Sequence, residues 1–162
     1  ESSYPLAETF AGFEELVAAG KIRYWGISNF REAALAEAVE VAGPGRIACD
    51  QVKHHLLDRR IERALVPLCE QHGIAVVGYS PFGTGKFVKE STAAGRVLGE
   101  VAASLDATPR QAALAFLLHT SRGFTIPKAV KPGHVLDNAA AVGLRLDQNA
   151  IERLDAAFSV AG

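Results

Sequence analysis

The feature that most constrains this chain is a fourfold alternation of helix-type and strand-type patterns. Leu6, Phe10, Phe13 and Val17 fall on one helical face, and Gly20 closes that helix as a C′ glycine. Ile22–Ile27 reads as a short strand, and Arg31–Val41 as an alanine-rich helix with Leu35, Ala38 and Val39 on one side. Gly43-Pro44-Gly45 is a loop, and Ile47–Val52 is the next strand. Pro67 belongs in the first turn of a helix ended by Gly73, because a helix interior would lose a hydrogen bond to proline. Ile74–Gly78 is an apolar strand followed by a loop, Tyr79–Lys86. Leu98, Val101 and Leu105 form another helical stripe, and Thr108-Pro109-Arg110-Gln111 is a capping box opening a helix to Gly123. Phe124–Pro127 is the last strand, Pro132–Val142 a short helix, and Asp147 caps a final helix with Ile151, Leu154 and Phe158 inward.

Alternation of this kind implies α/β architecture, a parallel sheet joined by right-handed crossovers. A doubly wound sheet and a (β/α)8 TIM-type barrel both satisfy it. Four strands are half of a barrel, and a whole barrel takes about 250 residues. No repeat or linker marks a boundary, so residues 1–162 read as a single domain. The chain starts at Glu1 and contains no methionine, which fits a processed product or part of a longer chain.

A formal net charge of −1 gives no electrostatic reason to expect nucleic acid or an anionic membrane as partner. The apolar runs fall far short of the roughly 20 residues a membrane helix needs. Two cysteines, Cys49 and Cys69, make neither a disulfide framework nor a CxxC pair, and no signal peptide is visible; a cytoplasmic protein is expected.

Several tempting motifs fail on their own terms. His54-His55 would point to opposite faces of a strand, with no further ligand at metal spacing, so no metal site is expected. Gly83-Thr84-Gly85-Lys86 imitates a P-loop but has Ser80 where glycine is required and Phe87 where Ser or Thr is required. Gly43-Pro44-Gly45 precedes a strand, the wrong order for a dinucleotide-binding turn. Cys49 and Cys69 read as core residues, and Asp50 as a lone carboxylate without a catalytic role. Glu14-Glu15, Glu37, Glu40 and Arg59-Arg60 read as solvated faces.

The loops after the strands choose between the two architectures. Gly20-Lys21-Ile22-Arg23-Tyr24-Trp25-Gly26-Ile27-Ser28-Asn29-Phe30 resembles the GKIRxxGxSNF signature at the fifth strand of the aldo-keto reductase family. Gln51-Val52, with Leu56-Leu57 following, resembles the sixth-strand motif of that family. Tyr79-Ser80-Pro81-Phe82 resembles its seventh-strand YSPL, and Ile126-Pro127-Lys128 its eighth-strand IPK. The motifs stand in family order and spacing over nearly the whole chain.

The resemblance implies the second half of a (β/α)8 barrel, with each motif at the C-terminal end of its strand, where barrels carry their chemistry. It implies a nicotinamide cofactor: Ser28, Asn29 and Gln51 at the carboxamide and Tyr79 flat on the ring. Ser80, Phe82 and Thr84 would lie along the pyrophosphate, and Lys128, Ala129, Val130, His134, Asp137 and Asn138 around the adenosine. NADPH is the family default. Ala129 and His134 stand where NADPH-preferring members carry serine and arginine, so the bidentate phosphate fork is missing and NADH or dual use is plausible.

The family's catalytic tetrad of aspartate, tyrosine, lysine and histidine belongs to the first four strands, and no residue here matches it. The activity implied is reduction of a small carbonyl substrate by a complete barrel, this chain supplying the cofactor-binding half and being inactive alone. The alternative is a non-catalytic nucleotide-binding or structural half-barrel that self-associates. Its partner is accordingly the missing N-terminal half or a second copy.

Overall fold

Proline and glycine set the limits of the first helix. In the computed structural model, which describes residues 4–119 and 123–159, α1 spans Leu6–Ala18 with Pro5 at its N-cap. The Gly20 N–H bonds to the Val17 carbonyl at 2.9 Å and the Lys21 N–H to Leu16 at 3.0 Å, with Gly20 at φ 68°. That paired closure is a Schellman motif, and glycine takes its left-handed position without steric cost. The Ile22 N–H leans back on the same Leu16 carbonyl at 3.4 Å. The strand expected from Ile22 therefore begins only at Trp25, and β1 is Trp25–Ser28.

The remaining elements are α2 (Glu32–Ala42), β2 (Ile47–Lys53), a 3₁₀ turn (Arg60–Arg63), α3 (Leu65–His72), β3 (Ala75–Tyr79), α4 (Ala93–Ser104), α5 (Pro109–Leu117), β4 (Gly123–Ile126), α6 (Pro132–Ala140), a 3₁₀ turn (Ala141–Gly143) and α7 (Gln148–Ala157). Pro67 does sit in the first turn of α3, where its missing N–H has no helical partner to lose. The Ile74 N–H caps α3 through the Cys69 carbonyl at 2.8 Å, so β3 starts one residue late. Pro127 has no N–H for the ladder, and β4 stops before it. Helix α5 ends at Leu117, short of Gly123; residues 120–122 of the predicted helix lie outside the described residues.

The strands lie in the sheet in chain order, β1-β2-β3-β4, with β1 and β2 parallel. Contacts group the chain into two units, Glu1–Val52 with Ile61–Val77, and Lys53–Arg60 with Gly78–Gly162. The core of the first unit gathers Phe10, Trp25, Leu35, Ile47, Val66, Cys69 and Val76. Trp25 lies 4.7 Å from the Phe10 ring and 5.4 Å from Phe13, and its indole N–H donates to Glu14 at 2.8 Å. Glu14, expected on a solvated face, is thus a structural acceptor, and it also binds Arg46.

The pairing of β1 with β2 carries a bulge: Trp25 faces Ile47 while Ile27 faces Asp50. The extra residue presses Cys49 against Gly26, where a Cβ would stand 2.5 Å from the Cys49 sulfur and 2.7 Å from its carbonyl oxygen. Only glycine fits there without displacement.

In the second unit Leu98, Val101, Ala112, Phe116, Leu154 and Phe158 form the core. The predicted capping box is present: Thr108 accepts from the Gln111 N–H at 3.2 Å, and Gln111 accepts from the Thr108 N–H at 2.8 Å. Asp147 accepts from the Ala150 N–H at 2.7 Å. Arg59 reverses the surface expectation. It is 5% exposed, donates to the Phe158 carbonyl at 3.1 Å and to Asp155 at 2.7 Å, and lies over the Phe116 ring. Among the described residues no helix is long and apolar enough to cross a membrane.

Candidate functional site

Of the predicted site residues, Ser28, Asn29 and Gln51 lie in the first unit, and the structure brings them together. The register sets Ser28 opposite Gln51. The Gln51 backbone carbonyl accepts from the Ser28 hydroxyl at 2.8 Å and from the Asn29 N–H at 2.9 Å, while the Asn29 side-chain amide donates to the Ser28 oxygen at 3.3 Å. Asn29 holds φ 61°, a left-handed conformation that asparagine tolerates better than most residues. All three side chains are exposed, so the cluster offers an amide, a hydroxyl and a second amide to a ligand. A flat group that both donates and accepts, such as a carboxamide, matches that set. Simple capping of α2 does not explain the pair: the N-cap is Arg31, and no side chain caps it.

Beneath this cluster lies Asp50, a residue whose sequence context gave no hint of its environment. It is 0% exposed, and among the described residues no donor meets either carboxylate oxygen in good hydrogen-bond geometry. Burial pushes its pKa up to about 6, against a partial opposing pull from the backbone N–H groups of Phe30 and Asn29. Burial also raises both neighbouring thiols, with the Asp50 charge adding to the effect, and Cys69 reaches about 12. Both cysteines are free thiols; Cys69 lies in the core as expected, whereas Cys49 is only half-buried.

The other predicted residues lie in the second unit. Tyr79 ends β3, half-buried, with its carbonyl accepting from the His54 N–H at 3.2 Å. The following loop is built from two tight turns, Gly83 N–H to Ser80 at 2.8 Å and Lys86 N–H to Gly83 at 2.9 Å. Ser80 (φ 53°), Gly83 (71°), Thr84 (49°) and Gly85 (82°) are all left-handed. Such conformations at Ser80 and Thr84 cost about 1–3 kcal/mol each.

Lys128, Val130 and His134 are exposed, while Ala129, Asp137 and Asn138 are half-buried. Ala129 and Asn138 border a largely apolar cavity of about 390 Å³ that Leu114, Phe124 and Val135 also line. The Asp137 carbonyl accepts from the Gln111 side chain at 3.1 Å, which ties the start of α5 to α6.

His54 and His55 differ from expectation in conformation. They follow the end of β2 instead of lying within it, both are buried, and His55 forms an antiparallel bridge with Asp58. Burial, then the Lys53 charge, lowers the His55 pKa, whereas a two-point bond from Arg60 lowers that of Asp58. Among the described residues no group of three or more His, Cys, Asp or Glu could hold a metal.

The sequence also concealed Arg110. Its guanidinium lies 4.9 Å from the Phe82 ring centre and 4.7 Å from that of Phe87. The capping box showed where α5 starts, but nothing local to Pro109-Arg110 signals a reach back to the loop after β3.

Against known proteins, the model of the aldo/keto reductase family matches residues 1–158. Methylglyoxal reductase YeaE of Escherichia coli (strain K12) is 34% identical over 156 residues, covering 96% of this chain and 55% of that protein. The crystal structure of a thermostable aldo-keto reductase, Tm1743, solved with the inhibitor epalrestat, superposes with a TM-score of 0.89 at 35% identity, over 97% of this chain and 56% of that one. An aldo/keto reductase of Klebsiella pneumoniae, solved with NADP and acetate, gives 0.87 at 32% identity, over 98% and 56%. The chain thus spans about half the length of the relatives it matches. Its four βα units have the fold of half a (β/α)8 barrel.

Proposed function

Because the chain belongs to the aldo/keto reductase family, we propose that it serves the NAD(P)H-dependent reduction of aldehydes or ketones to alcohols, supplying the residues that hold the nicotinamide cofactor. The observation that carries this reading is the hydrogen-bonded Ser28–Asn29–Gln51 cluster, whose donor and acceptor set fits a carboxamide. NAD(P)H, when bound, supplies a hydride to a carbonyl carbon. The Gln51 backbone carbonyl holds the Ser28 hydroxyl hydrogen, and the Asn29 amide occupies one Ser28 lone pair. Ser28 therefore presents its remaining lone pair to the carboxamide N–H, while the second Asn29 amide hydrogen and the Gln51 side-chain amide serve its oxygen. Tyr79 provides the aromatic face for the ring. The left-handed turns through Ser80, Phe82 and Thr84 follow the pyrophosphate, and Lys128, Ala129, Val130, His134, Asp137 and Asn138 take the adenosine end.

No residue of these 162 matches the family's tetrad, so the proton donor comes from outside them. NADPH is the default cofactor, with NADH use supported by Ala129 and His134 in place of a serine and an arginine. The free thiols Cys49 and Cys69 suit a reducing cytoplasm. Trp25, the single tryptophan, gives the experiment its signal. Titration with NADPH should quench its emission saturably, and Ser28→Ala with Gln51→Leu should weaken binding about tenfold or more, the loss of one or two well-placed hydrogen bonds. Absence of NADPH and NADH binding would sink the proposal.

A second reading, in which the chain acts by association, is favoured by exposed apolar residues on β4, on α6 and in the segments that follow each of them. Phe124, Ile126, Val130, Leu136 and Val142 are 47–82% exposed. The partner would be the other half of a barrel or a second copy of the chain. Analytical ultracentrifugation at micromolar concentration separates these from a 17.2 kDa monomer.

A further inference from the structure

Within the residues assigned to the phosphates and adenosine, the fixed charges are Lys128 and Asp137, which cancel. A dinucleotide brings at least two negative charges to the same place. The cluster of Phe82, Phe87 and Arg110 holds an unassigned cation beside that set. The two rings meet edge to face, 5.7 Å apart, and the guanidinium lies over both. Among the described residues Arg110 forms no ion pair, and it is exposed, so its N–H fork is not engaged by a carboxylate. Phe82 belongs to the left-handed loop, and the next residue after Arg110, Gln111, bonds to the Asp137 carbonyl. Arg110 therefore stands where the loop after β3 and the helix after β4 are tied to the same turn of α5.

We propose that Arg110 is a cofactor-binding residue whose guanidinium, held by the Phe82 and Phe87 rings, donates to a phosphate of the nicotinamide dinucleotide. The inference rests on the function proposed above. Stacking prepays part of the ordering cost that a free arginine would bear on binding, and a planar fork suits phosphate bidentately. The shared chemistry is a phosphate oxygen, and two phosphate groups of the cofactor could present it. A contact to the pyrophosphate would serve NADPH and NADH alike, and a contact to the 2′-phosphate would serve NADPH alone.

The test measures dissociation constants of the protein for NADPH, NADH and 2′,5′-ADP, in wild type, Arg110→Gln and Arg110→Lys, at low and high salt. Arg110→Gln should weaken NADPH binding about tenfold or more, with Arg110→Lys recovering part of the loss. The loss should shrink as salt screens the charge. Equal losses for NADPH and NADH identify the pyrophosphate; losses confined to NADPH and 2′,5′-ADP identify the 2′-phosphate. If Arg110→Gln binds both cofactors within twofold of wild type, the proposal is overturned. It is equally overturned by a loss that is independent of salt and unrescued by lysine, which would make Arg110 a mere clamp on the loop. Failure of wild type to bind either cofactor would instead overturn the function itself, and the inference with it.

Discussion

The Arg59 guanidinium donates to the backbone carbonyl of Phe158 at 3.1 Å, joining residues 99 positions apart inside the second unit. The same group bonds Asp155 at 2.7 Å and lies 4.8 Å from the Phe116 ring centre. These contacts are unequal. The Asp155 side chain is 64% exposed, so solvent screens that ion pair, whereas the Arg59 side chain is 4% exposed. Arg59→Ala should cost about 2–4 kcal/mol, combining a charged hydrogen bond and a cation–π contact. Asp155→Ala should cost under about 1 kcal/mol. Urea melts of both variants test the ranking, and equal losses would show that the exposed ion pair dominates.

Trp25 offers a second contrast. Its indole N–H donates to Glu14, and Trp25 itself is 7% exposed. Glu14→Gln keeps an acceptor for the indole and should change stability by less than about 1 kcal/mol. Glu14→Leu strands the donor and should cost about 1–3 kcal/mol. Emission of the single tryptophan should shift for Glu14→Leu and stay nearly constant for Glu14→Gln.

The contrast between these arginines and glutamates and the helix boundaries shows what a sequence can carry. Gly20, Gly73, Thr108 and Asp147 act on neighbours within a few residues, so their capping roles are legible from local spacing. The site motifs are legible for the same reason: Ser28-Asn29 and Tyr79-Ser80 are contiguous, and each closes a strand. Arg59 looks like its exposed neighbour Arg60 in sequence, and only partners brought in by α5 and α7 distinguish them. Arg110 is hidden likewise, because its rings belong to another loop. The start of β1 failed at a finer scale. Ile22 has strand-like chemistry, but its N–H is claimed by the end of α1.

The bulge opposite Gly26 predicts a tight steric limit. Gly26→Ala should cost about 1–3 kcal/mol, the usual penalty of forcing a methyl group into a packed site. Adding Cys49→Ala removes the sulfur contact but leaves the carbonyl oxygen 2.7 Å from the new Cβ. The double variant should therefore regain only part of the loss in a urea melt. Full recovery would locate the whole constraint in the thiol.

Cofactor preference should follow the 2′-phosphate contacts. With Ala129 and His134 in place, the NADPH preference over NADH should stay below about a hundredfold, because neither of these two side chains supplies a bidentate fork. Ala129→Ser with His134→Arg should raise it by about tenfold or more. Dissociation constants of the two cofactors at pH 8 check both values, and a wild-type preference above a hundredfold would contradict the assignment.

Asp50 makes the sharpest prediction about pH. Its pKa stands at about 6 in the folded chain against an ordinary 3.8, chiefly because burial disfavours the charge. Among the described residues, those that act on it are the Cys49 and Cys69 thiols and the backbone N–H groups of Phe30 and Asn29, none of which supplies a full positive charge. The folded state therefore holds the Asp50 proton more tightly than the unfolded chain does. The stabilisation this gives is complete below pH 3.8 and is lost as pH rises to about 6. Above pH 6 the ionised group leaves a constant penalty of about 3 kcal/mol, two pH units of differential proton binding. Asp50→Asn keeps the shape and removes the charge. It should match wild type near pH 4 and exceed it at pH 7.5, the difference growing between the two values. Urea midpoints of the pair across that range isolate the effect from other titrating groups. A difference that stays flat with pH would mean that the carboxylate is already ionised at pH 4 or never ionises at pH 7.5.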